Sequence, residues 1–160
     1  MDDDTRFVIE FLAAQAVFVS ALIHLTAGVM NWLRWWQGGG YLVPQDLRWP
    51  LSVVSGIAII AGLYVGSHRE YRRPFYAAGI VAMAGYVLAY FGWHLGGHRL
   101  GLVVGPAAGG SEAVSLQWFL DHLLAGPVEF ISVAVEILAV MLLAVLLLAD
   151  HEREAGGEHQ

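Results

Sequence analysis

The sequence predicts an all-α fold, a polytopic membrane protein built as an up-down bundle of four transmembrane helices with a short outer helix at the interface. Three observations predict it. Hydrophobic residues fill 58% of the 160 positions and mean hydropathy is +0.60, whereas soluble domains carry about 45–50% apolar residues even with glycine included. Four apolar runs, at about residues 7–33, 50–66, 74–95 and 127–148, approach or exceed the ~20 residues that cross a hydrocarbon core. The charges lie mainly between and beyond these runs, in acidic tails at 1–6 and 149–160 and in the connecting loops. One membrane domain uses the whole chain.

The first run closes on Trp32, Trp35 and Trp36, the aromatic cluster expected where a helix meets the headgroups. The second is short and carries Ala58, Gly62 and Gly66 at four-residue spacing. The third carries a similar small face, through Ala78, Ala82, Gly85 and Ala89. Small faces let helix backbones approach closely, so the second and third helices are expected to pack together. Pro50, Pro74 and Pro127 stand at or near first turns, where a missing N–H is harmless.

Between the third and fourth runs, residues 96–110 hold five Gly and one Pro beyond Gly96 and are expected to be irregular. Leu116, Phe119, Leu120, Leu123 and Leu124 then form one apolar helical face opposite Gln117 and Asp121. Residues 115–125 are therefore read as a short helix lying at the outer interface. It turns at Gly126-Pro127 into the fourth span.

Arg69, Arg72 and Arg73 occupy the short second loop, which the positive-inside rule puts in the cytoplasm. Arg6 and Arg153, and with them both termini, fall on the same side. Arg34, Arg48 and Arg99 fall outside. All eight basic residues are Arg, against fourteen acids, so there is no basic footprint for nucleic acid. The bilayer is the expected partner, with a second copy or a membrane-complex subunit as the protein partner. Without cysteine, any metal or haem ligand must come from His, Met, Asp or Glu. The serines form no nucleophile elbow, and the Gly-rich loop lacks the context of a phosphate cradle.

Four histidines, His24, His94, His98 and His122, share the outer half with Asp121, Glu129 and Glu136. His24 is eight residues before Trp32 and Glu136 nine after Pro127, which puts both about 12–13 Å below the outer interface at 1.5 Å per residue. The first and fourth helices of an up-down bundle are neighbours, so His24 and Glu136 are expected to form a buried polar pair. Glu129 lies two turns outward on the stripe of Glu136, at the depth of His94, which allows a second His-Glu pair.

This track supports three readings: interhelical hydrogen bonding, a metal site drawn from His24, His94, His98, His122 and Glu129, or a proton relay. A haem held by His24 and His94 would need ligands at one level, and their depths differ by about 9 Å. The segment ALIHLTAGVMNW, Ala21 to Trp32, supplies a His-Leu-x-x-Gly pattern at His24 and Gly28. With the short second helix, the Arg-rich turn and the Asp-His before the fourth helix, it resembles small haloarchaeal four-helix membrane proteins, and its layout is loosely similar to DoxX-like membrane proteins. The first resemblance implies membrane location without an established activity, and the second an accessory part in redox membrane chemistry. The leading expectation is a non-enzymatic membrane protein or accessory subunit. A metal- or proton-handling protein is the alternative, and a membrane redox enzyme the third reading. No particular cofactor is required.

Overall fold

The structure, a computed structural model, describes residues 1–40, 44, 46–95 and 115–157. It is all-helical: α1 Asp3–Gln37, α2 Arg48–Ser67, α3 Arg73–Leu95, α4 Leu116–Ala125 and α5 Pro127–Gly157. Helices α1, α2, α3 and α5 are each long and apolar enough to cross a membrane.

The helices overrun the predicted spans at their polar ends. At the start of α1, the Asp2 carboxylate accepts the Thr5 N–H and the Thr5 hydroxyl, each at 2.8 Å. These bonds hold its pKa below the ordinary aspartate value. Asp3 and Asp4 follow in the first turn, where the positive end of the helix dipole favours acids. The acidic N-terminal run is thus a helix start as well as a solvated tail. At the other end, Asp150 to Ala155 contains no helix breaker, and α5 continues to Gly157.

α4 is a separate helix, as the amphipathic pattern predicts. Ser115 caps it by accepting the Trp118 N–H at 3.1 Å, and Gly126 ends it in an extended conformation. Pro127 then opens α5 at a position where it forfeits no helical hydrogen bond.

α1 is the centre of the bundle, packed against α2 on one side and α5 on the other, while α3 packs on α5. The core joins Ala13, Ala16 and Val17 of α1, Tyr76 and Met83 of α3, and Ala139, Leu143 and Leu146 of α5. Large apolar residues also cover the outside: Leu88 is 71% and Val81 72% exposed. Such a surface suits hydrocarbon better than water.

The expected packing of α2 on α3 is found only through a few side chains, and their small faces do not meet closely. Two glycines draw α2 onto α1 instead. A Cβ on Gly28 would lie 2.7 Å from the Trp49 carbonyl oxygen, and one on Gly56 would lie 3.0 Å from the Ala21 carbonyl oxygen. Meanwhile larger groups hold α3 away. The Phe75 ring sits on Gly66, with contacts of 3.1 Å to a Cβ placed there, the Tyr86 phenol reaches Ser55 at 2.5 Å, and Arg48 lies over the Trp93 ring at 3.7 Å.

Between Phe75 and Tyr86 the seam stays open as a cleft of about 610 Å³, and the two small faces line it. A Cβ on Gly62 or Gly85 would meet nothing within 4 Å. Each of these glycines forgoes about 1 kcal/mol of helix propensity relative to alanine, and among the described residues no close approach accounts for either.

Candidate functional site

The most deeply placed polar cluster centres on Glu136, which is 1% exposed. Its Oε1 atom accepts the Ser132 hydroxyl at 2.9 Å and the Ser20 hydroxyl at 3.2 Å. His24 Nε2 stands 2.7 Å from the same oxygen, so one proton lies between imidazole and carboxyl. Ser132 comes from one turn earlier on α5, while Ser20 and His24 occupy adjacent turns of α1. Helical spacing therefore delivers all three groups to one atom. A buried carboxyl is tolerated when its oxygens are hydrogen-bonded, and here the chain supplies the partners itself.

The cluster extends to the other two helices. The His24 ring stacks on Tyr86 of α3, with centroids 3.7 Å apart and planes 16° apart. Tyr86 donates its hydroxyl to Ser55 of α2, and Ser55 donates to the Ser52 carbonyl at 3.2 Å. All four long helices thus meet at one level. His24 meets Tyr86 through its ring face, so the link from Glu136 to Ser55 passes through a stacking contact rather than an unbroken row of hydrogen bonds.

A second cluster, which the sequence reading did not single out, lies toward the termini. Glu10 of α1 accepts Arg6 Nε at 2.9 Å and the Tyr76 hydroxyl at 2.7 Å on one oxygen, and Arg72 Nη1 at 2.6 Å on the other. Arg6 also donates to Asp150 of α5 at 2.6 Å. The available signal was Arg6 and Glu10 at i,i+4, with Glu10 set among apolar residues.

His94 and His122 do not join Glu136. His94 donates Nδ1–H to the Tyr90 carbonyl at 2.9 Å. Its ring is 5.1 Å from that of His122, which stacks on Trp118. Glu129 folds back over Gly126, its Oε2 in the space a Gly126 Cβ would occupy. His98 lies outside the described residues. Among the described residues, no three His, Asp or Glu side chains converge as a metal site would require. The metal candidates His24, His94, His122 and Glu129 are therefore divided between two levels. No family model, curated protein or solved structure matches the chain.

Proposed function

We propose that the protein is a non-enzymatic multi-pass protein of the cell membrane, an accessory subunit in a membrane assembly, with both termini in the cytoplasm. The observation that carries this reading is the Glu136 cluster: a carboxyl 1% exposed whose oxygen is occupied by three groups of the same chain, inside helices that are apolar on their outer faces. Polar groups spent on one another join helices, and in hydrocarbon such bonds contribute about 0.6–2 kcal/mol each.

The orientation rests on the arginines. Arg6, Arg69, Arg72 and Arg73 share one end of the bundle, while Arg34 and Arg48 mark the other, and the more basic short loop belongs inside. The chain has no cysteine, so introduced thiols report topology directly. An impermeant maleimide should modify Trp36→Cys in intact cells and Glu70→Cys only after permeabilisation. The reverse pattern would overturn the orientation, and release of the protein from membranes by alkaline carbonate would overturn the membrane reading.

The metal- or proton-handling alternative has one specific observation in its favour, the 5.1 Å approach of the His94 and His122 rings. Elemental analysis and a visible spectrum of the purified protein separate the readings. Stoichiometric metal that is lost in His94→Ala would favour the alternative.

A further inference from the structure

We propose that the cleft between α2 and α3 is a binding site for one hydrocarbon chain of an anionic membrane lipid, whose phosphate sits at the arginine-bearing turn. The proposal rests on the reading that the long helices cross a bilayer, and goes beyond it by naming an occupant.

The cleft has the size of a ligand site. Its volume of about 610 Å³ falls within the ~300–1,000 Å³ typical of pockets that bury small molecules. Its walls are Ala58, Gly62, Ala78, Ala82 and Gly85, and its floor includes Ala13, Val17, Leu143 and Leu146. Bulkier side chains at the two glycines would fill the space from within, and a Cβ at either meets no described residue within 4 Å. The glycines on the α1–α2 interface are accounted for by backbone contact; Gly62 and Gly85 are accounted for by something that enters the cleft.

The ends of the cleft decide between a lipid chain and a protein helix. Phe75 lies on Gly66 and narrows the seam toward the turn, and the Tyr86–Ser55 hydrogen bond closes it toward the middle. From Ser55 to Gly66 is eleven residues, about 16 Å of helix. A helix from a second copy would need to run the ~30 Å of the hydrocarbon core, and the Tyr86–Ser55 bridge stands across its path. A flexible acyl or isoprenyl chain enters through the side and fits short of that bridge.

Charge then selects the headgroup. Ser67, Arg72 and Glu10 line the mouth, where Arg69, Arg72 and Arg73 stand against Glu70 and Glu10, one positive charge in excess. Arg72 uses Nη1 on Glu10 and Nε on the Arg69 carbonyl, which fixes the guanidinium at the rim. A guanidinium carries five N–H donors, and basic residues at this depth attract anionic lipid.

The test uses the full-length protein in bilayer nanodiscs containing phosphatidylglycerol with a diazirine on one acyl chain. After photolysis, peptide mass spectrometry should place adducts on Ala58, Ala78 or Ala82 at several times the level on Leu88, which reports ordinary surrounding lipid. Gly62→Leu with Gly85→Leu should reduce the cleft adducts at least tenfold while leaving Leu88 labelling and the helical circular dichroism unchanged. Gly62→Leu alone should reduce them several-fold, which supplies a second variant should the double not fold. Photoreactive phosphatidylcholine should label the cleft several-fold less. Equal labelling by the two lipids would overturn the headgroup assignment. Cleft adducts no higher than those on Leu88, or insensitive to the leucines, would overturn the site. Disulfide-linked dimers from Ala58→Cys would replace the lipid with a second copy. Absence of labelling everywhere, Leu88 included, would overturn the membrane reading and the site with it.

Discussion

His24 and Glu136 are 112 residues apart in the chain and 2.7 Å apart in the structure, the shortest of the three contacts at Glu136 Oε1. Removing one member strands the other. His24→Leu should therefore destabilise the protein by about 1–3 kcal/mol, the desolvation penalty of a buried group left without its partner. Glu136→Leu should cost a similar amount, because Ser20 and Ser132 lose their common acceptor. The double variant should be less unstable than the sum, with a coupling of about 0.5–3 kcal/mol. Unfolding of the four proteins in mild detergent measures the cycle, and additive effects would refute the coupling.

Glu10 is the corresponding hub at the terminal end, accepting from Arg6, Arg72 and Tyr76. Its side chain is 19% exposed, so the bonds are partly shielded from solvent. Glu10→Ala should lower stability by about 1–3 kcal/mol. Raising salt to the molar range should reproduce only part of that loss, because partly buried pairs are screened less than surface pairs. A wild-type protein that loses the whole increment in high salt would show the cluster to be solvated.

The difference between these two clusters explains what the sequence revealed. Four apolar runs with Pro and Trp at their boundaries reveal the four long helices through hydropathy, though not the polar turns by which they overrun the runs, and the meeting of His24 with Glu136 follows from counting residues at a fixed rise. The Ser115 cap and the Gly126-Pro127 break that separate α4 from α5 are also local signals. Which helices pack closely is not local. The small stripes of α2 and α3 predict an interface, but Gly28 and Gly56 offer α2 a closer approach to α1, while Phe75, Tyr86 and Arg48 space α3 away. Small residues permit contact without choosing the partner. Glu10 escaped notice because its significance depends on Arg72 and Tyr76, more than sixty positions away. Depth counting alone likewise cannot tell that His94 turns to the Tyr90 carbonyl.

Arg48 ties the start of α2 to the end of α3. Its Nε donates to Asp46 Oδ1 at 2.8 Å, and its guanidinium lies over the Trp93 ring at 3.7 Å. Lysine keeps the charge but loses the planar fork and the stack. Because the Arg48 side chain is 38% exposed, solvent moderates the loss, and Arg48→Lys should destabilise by about 0.5–1 kcal/mol. Arg48→Ala should cost no less. Thermal unfolding in detergent checks both, and a lysine variant as stable as wild type would remove the stacking contact from the account.

Glycine substitutions test the packing pattern by sign. Alanine is favoured over glycine in a helix interior by about 1 kcal/mol, so with no other effect every helical Gly→Ala change should stabilise. At Gly62 that expectation holds, because a Cβ would meet nothing within 4 Å; Gly62→Ala should raise stability by about 0.4–1 kcal/mol. At Gly28 a Cβ would lie 2.7 Å from the Trp49 carbonyl oxygen, 2.9 Å from Val53 Cγ2 and 3.1 Å from Ser52 Cβ. The first of these is backbone, so α2 would have to move as a body. Overpacking of a close contact costs about 1–3 kcal/mol, which exceeds the propensity gain over most of that range, and Gly28→Ala should be net destabilising. Opposite signs at the two positions are the expected result in one detergent and by one unfolding assay. If Gly28→Ala stabilised as much as Gly62→Ala, α2 would not lie against α1 as described. If Gly62→Ala destabilised, the space beside it would already be filled by the chain.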